Sequence, residues 1–220
     1  MPDMDHGTPH DHAHHGHAAG SSNAMAIAAT LHCLTGCAIG EILGLMIGTA
    51  LGLGTLTTIA IAVGLAFLFG YALSTLPLLR AGLGLGAALG VVLAADTLSI
   101  ATMELVDNLV MAAVPGAMDA GLVNPVFWLS MTLALTVAFF AAWPVNRWLL
   151  GRGKGHALTH AYHGAEPVGA RRLIPDLATS TLVAAIAAFM LGGLVVSVAD
   201  RLDSEPAPAH ALPDRHGSRH

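Results

Sequence analysis

The sequence predicts an all-α fold, a polytopic transmembrane helical bundle of about five spans in which a C-terminal span joins a four-span core. Hydrophobic residues make up 55% and charged residues 10% of the 220 positions, against roughly 25% charged in an ordinary soluble domain. Mean hydropathy is +0.68. Five apolar segments each approach or exceed the roughly 20 residues a helix needs to cross the hydrocarbon core. Closed β-barrels also span membranes, but these segments lack period-2 alternation and are too long for strands.

The spans are expected at Ala24 to Leu51, Leu56 to Leu79, Leu85 to Val114, Pro125 to Leu150 and Leu177 to Ala199. Pro115 and Gly116 end the third. Pro125 suits the first turn of the fourth and Pro175 precedes the fifth, positions where proline removes no intrahelical hydrogen bond. Trp128 and Trp148 bracket the fourth span about 30 Å apart, the placement of interface anchors. The expected organisation is a disordered His-rich tail over 1–23, a four-helix membrane core over 24–165, a loop and fifth span over 166–200, and a disordered tail over 201–220.

Nine Lys and Arg against fourteen Asp and Glu give a net charge of -5. With no basic block, nucleic acid is excluded as a partner. Two cysteines in one apolar segment are not a secreted disulfide framework. The first 23 residues hold no Lys, Arg or apolar run, so they lack the parts of a secretory signal, and the uncleaved first span is expected to direct insertion. Arg80, Arg147, Arg152, Lys154, Arg171 and Arg172 fall at or in loops on one side, whereas Gly52 to Thr55 and Pro115 to Asn124 carry no Lys or Arg. That bias places the N-terminus inside.

The first span holds the chemistry. Its run TLHCLTGCAIGEILGLMIG carries ionisable groups that are costly in lipid and mark function by default. Cys33, Cys37 and Glu41 climb the helix at i, i+4 and i+8, with His32 a quarter turn aside. Thiolates and imidazole suit copper or zinc, and Glu41 completes a zinc site or relays a proton. The competing reading makes both cysteines small packing residues. Gly36, Gly40, Gly44, Gly48 and Gly52 recur every four residues, a ridge that lets another helix approach closely. Packing within the chain is the first expectation for it, a homo-oligomer or larger membrane complex the second.

The third span carries Asp96, Glu104, Asp107 and Asn108. Asp96 and Asp107 lie about 20° apart around the helix and form a stripe with Ile100 and Met103. No Lys or Arg stands mid-span, so these acids must be protonated, hydrated or neutralised by a cation. They read as an ion or proton path, or as a clamp of neutral acids with Asn108, Thr97 and Ser99. In the N-terminal tail His12, His14, His15 and His17, beside His6 and His10, form a flexible chelating segment. His156, His160 and His163 stand at helical spacing in a loop.

The runs TLHCLTGCAIGE, FGYALSTLPLLRAG, DTLSIATMELVDN, PGAMDAG and PVNRWLLGRGKGHA resemble an uncharacterised bacterial multi-pass membrane family, domain of unknown function 4396, over about residues 25–163. The resemblance implies a bacterial cell-membrane location and no substrate. There is no GxSxG, HExxH or phosphate loop, and Gly82, Gly84 and Gly86 open a membrane helix. The leading expectation is a lipid-embedded protein, a binder or transporter of copper or zinc in preference to an enzyme. The alternatives are a membrane thiol oxidoreductase or metalloenzyme, and a non-catalytic subunit packing through its glycines.

Overall fold

The computed structural model describes residues 14–152, 169–174 and 178–204, with side chains from residue 23 onward. Five helices run α1 (His14–Ala50), α2 (Thr55–Arg80), α3 (Leu85–Ala113), α4 (Pro125–Gly151) and α5 (Thr179–Ser204), and a 3-10 turn at Gly169–Leu173 precedes the last. All five are long and apolar enough to cross a membrane, α1 through its part Asn23–Ala50. The first four apolar spans begin and end within one residue of the expected positions, while α5 runs five residues further, to Ser204.

One boundary differs from expectation. The backbone is already helical at His14, where a disordered tail was expected through residue 23. Once a span has nucleated a helix, each added residue completes a hydrogen bond, so propagation into the upstream stretch is inexpensive. His12, His156, His160 and His163 lie outside the described residues.

Short turns force the helices to alternate in direction. At the end of α1, Leu53 N–H donates to Gly48 O at 2.8 Å and Gly52 takes φ 62°. The same closure ends α2, where Leu83 donates to Leu78 O at 3.1 Å and Gly82 has φ 109°. Both are left-handed glycine caps, which satisfy carbonyls the helix would otherwise leave bare. The α1–α2 and α3–α4 loops therefore share one face of the bundle. The N-terminal end of α1 and the α2–α3 loop lie on the other.

Helix α1 is the inner member of the bundle. It contacts each of the other four helices, and 56% of its apolar window is buried, against 11% for α2 and 17% for α5. A Cβ placed on Gly36 would overlap the backbone of Gly70; on Gly40, that of Ala66; on Gly44, Ala62; on Gly48, the Thr58 side chain. The paired numbers fall by four on α2 as they rise by four on α1. This is an antiparallel register in which small residues face each other across both helices. Backbones that close gain the dispersion contacts that replace the hydrophobic drive missing in lipid. The ridge is thus occupied within the chain.

Two tryptophans expected to act alike do not. Trp148 is 48% exposed, and the Arg152 guanidinium sits 3.9 Å over its ring. Trp128 is only 6% exposed and donates through Nε1 to Leu122 O at 2.7 Å. Its ring fills a slot left by the absent side chain of Gly193 on α5, edge-on to Phe189 at 5.6 Å. Trp128 is an interhelical wedge whose polar end caps a loop, and its position near a helix end had suggested an anchor. Nearby, Asn124 Oδ1 accepts both the Val126 N–H at 3.0 Å, capping α4, and Arg201 Nη2 of α5 at 2.6 Å.

Candidate functional site: an acid and thiol seam

Helices α1 and α3 run in the same direction with α2 between them, so residues climbing one meet residues climbing the other. The helical period puts Cys33, Cys37 and Glu41 on the α3-facing side of α1. On α3 it buries Asp96, Ile100, Met103, Glu104 and Asp107 together. Three rungs result. Cys33 faces Asp96, Cys37 faces Glu104 and Glu41, and Glu41 faces Asp107 and Glu104. The rungs span about 12 Å along α1 at 1.5 Å per residue.

Cys33 and Asp96, Cys37 and Glu104, and Glu41 and Asp107 lie close enough to interact as pairs, yet several of their carboxyl oxygens lack a well-directed hydrogen bond. Both carboxyl oxygens of Glu41, both of Glu104, Asp107 Oδ1 and Asp96 Oδ2 are buried without a hydrogen-bond partner, as is Ser99 Oγ. Asp96, Glu104 and Asp107 are 2%, 5% and 4% exposed. Buried polar groups normally find partners, and each exception calls for a reason. The Asn108 amide and the Thr97 hydroxyl bond groups other than these carboxyls, and Thr97 Oγ1 lies 2.8 Å from the Tyr71 hydroxyl of α2. Asn108 Nδ2 donates to Glu104 backbone O at 2.8 Å, and Thr97 Oγ1 donates to Leu93 O at 2.5 Å.

A cavity of about 420 Å³ reaches these acids from the face of the α1–α2 and α3–α4 loops. Thr49, Leu53, Met118 and Asp119 are at its loop end, and Glu41, Glu104 and Asp107 line its depth. No Lys or Arg is among its lining residues. A hydrated cation entering this vestibule therefore meets four acids, Asp119 at the loop end and Glu41, Glu104 and Asp107 in its depth, and no competing positive charge among the lining residues.

The expected first-helix ligand set does not converge. Among the described residues no three His, Cys, Asp or Glu side chains are grouped closely enough to hold a metal ion. His32 is half-buried, and its Nδ1 donates to Ala28 O at 2.8 Å within its own helix. A quarter turn separates it from the thiols, and Cys33, Cys37 and Glu41 are each about 6 Å apart along the axis, facing different α3 partners. Both cysteines are free, and they are 0% and 1% exposed. Of the tail histidines, His14, His15 and His17 lie in the first turns of α1 by backbone alone.

Three participants escaped the sequence reading. Ser74 of α2 places Oγ 3.6 Å from Cys33 Sγ. Asp119 is the acid in the α3–α4 loop, and its vestibule position depends on that loop folding back over the bundle. Asn146 of α4 bonds Thr30 of α1. Each is a small polar residue in an apolar or loop context, a signal visible in the sequence yet silent about its partner.

Comparison with curated proteins and with solved structures gives no match. Residues 22–155, which hold the apolar part of α1 and all of α2, α3 and α4, match the family model described as Domain of unknown function (DUF4396), and since that is more than half of the chain, the protein belongs to this family.

Proposed function

We propose that the protein binds and moves a transition-metal cation, zinc or copper, along the α1–α3 seam of a bacterial inner membrane, with its N-terminus in the cytoplasm. The observation that supports this reading is the vestibule ending on Glu41, Glu104 and Asp107, whose buried oxygens lack partners. Carboxylates in lipid need a counter-charge, and a cation supplies it without an Arg or Lys in the span. Carboxylates with the Cys37 thiol behind them form a mixed hard and soft donor set, which suits zinc before copper. Binding draws the three rungs' side chains inward, and each thiolate bond formed releases a proton.

Direction of handling follows from topology. His14, His15 and His17 stand in the first turns of α1, at the end opposite the vestibule, and His12 precedes them in sequence. A tail that gathers ions on one face and a vestibule that opens on the other suit outward movement. His32 sits between tail and seam and serves as a way-point.

The test is zinc flux in proteoliposomes holding the full chain and an internal zinc-sensitive dye. Flux that falls to the level of empty vesicles in Glu104→Gln and Asp107→Asn is the expected result. Equal flux in wild type, both variants and empty vesicles would overturn the reading.

A further inference from the structure

The seam continues past the vestibule. Cys33 is fully buried beside Asp96 and the Ser74 hydroxyl, 3.6 Å away. Asp96 is 2% exposed with Oδ2 unpartnered, and Ser99, one turn further along α3, has its hydroxyl unpartnered. These groups come from three helices, so their meeting is a product of the fold and not of one helix's spacing. They lie about 12 Å from the Glu41 rung along α1. Beyond them, toward the opposite face, stands an apolar cluster of Leu78, Ala88 and Val92 with Tyr71 packed against it.

We propose that Cys33, Asp96 and Ser74 form a second, inner cation station. It takes the same class of ion as the vestibule site, a borderline divalent metal, and the proposal rests on the reading of that site given above. Thiolate, carboxylate and hydroxyl supply three donors of mixed softness in a water-poor setting, where a cation satisfies the orphaned Asp96 oxygen. The thiol surrenders a proton as the ion binds. The Leu78, Ala88 and Val92 cluster closes the station toward the opposite face. An ion at Cys33 therefore communicates with the vestibule through Cys37 and Glu104.

Cadmium titration of the full chain in detergent tests this, read as the ultraviolet charge-transfer band of cadmium bound to thiolate. Histidines of the tail give no such band, so the whole protein serves. Cys37→Ser leaves Cys33 as the sole thiol, and half of the wild-type band is expected to remain. Adding Asp96→Asn, which preserves shape, or Ser74→Ala is expected to abolish that half, with size-exclusion profiles confirming folded protein. A band in Cys33→Ser but none in Cys37→Ser overturns the inner station and leaves the vestibule reading standing. A Cys37→Ser band indifferent to both added substitutions overturns the station as composed. No band in any variant, together with no zinc flux, removes both proposals.

Discussion

Asn146 Nδ2 on α4 donates to Thr30 Oγ1 on α1 at 2.8 Å, across 116 residues of sequence, and the Thr30 hydroxyl in turn donates a hydrogen bond to Ala26 O at 2.7 Å. Both side chains are buried, at 4% and 0% exposure. Interhelical bonds of this kind contribute about 0.6–2 kcal/mol in membranes. Thr30→Val removes the acceptor and leaves a buried amide unpaired, so it is expected to cost more than the bond itself contributes. The double variant Thr30→Val, Asn146→Leu is expected to recover part of the loss. Reversible unfolding in mixed micelles, arranged as a double-mutant cycle, measures the coupling; a zero coupling energy refutes it.

The register of α1 against α2 makes a position-specific forecast. Gly40→Ala drives a methyl into the backbone of Ala66, whereas Gly64, on the same α2 helix, has open space at its Cβ position. Overpacking against backbone costs about 1–3 kcal/mol. Gly64→Ala is expected to be neutral or to stabilise by up to about 1 kcal/mol through helix propensity. Thermal aggregation of the two variants in the same detergent separates them, and equal midpoints would contradict the register.

Thiol reagents report on the seam. Cys33 and Cys37 are enclosed, so maleimide is expected to label neither in folded protein and both after denaturation in dodecyl sulfate. Fast labelling of the native chain, which follows thiolate exposure, would instead support thiol chemistry at these residues.

The same reagents fix the orientation. In a background with Cys33 and Cys37 replaced by Ser, the exposed loop positions Asp119 and Arg171 lie on opposite faces. Asp119→Cys is expected to react with a membrane-impermeant maleimide on intact cells, and Arg171→Cys only after permeabilisation. The reverse pattern would place the vestibule on the cytoplasmic side.

Carbodiimides attack carboxyls in apolar surroundings, and Glu41, Glu104 and Asp107 line the depth of the vestibule. Dicyclohexylcarbodiimide is expected to modify at least one of them, and zinc is expected to protect it. Mass mapping that finds modification only at exposed acids such as Asp200 and Asp203 would deny the vestibule a reachable acid.

The spans were legible because hydropathy and punctuation act locally. A run apolar enough to enter lipid stops where Gly52, Gly82 or Pro115 interrupts it, and that decides helix ends almost to the residue. The Asp96 to Asp107 stripe was legible for the same reason, since periodicity is a property of one helix. What sequence does not carry is the facing helix. The spacing of Cys33, Cys37 and Glu41 places them on one side of α1, but their separation onto three rungs depends on where α3 presents Asp96, Glu104 and Asp107. His32 could not be assigned by proximity in sequence, because neighbouring residues on a helix diverge by about 100°. Trp128 was misplaced because only the fold sets Gly193 opposite it.

Gly193 and Arg201 also set an order of assembly. Both belong to α5, which lies outside the family match at 22–155 and is synthesised after α1 to α4. Until α5 emerges, the Trp128 ring has no glycine slot to enter and Asn124 has no arginine to receive. Assembly therefore includes a lateral docking step of α5 onto the four helices made before it, and the loop bordering the vestibule is pinned only when that step is complete.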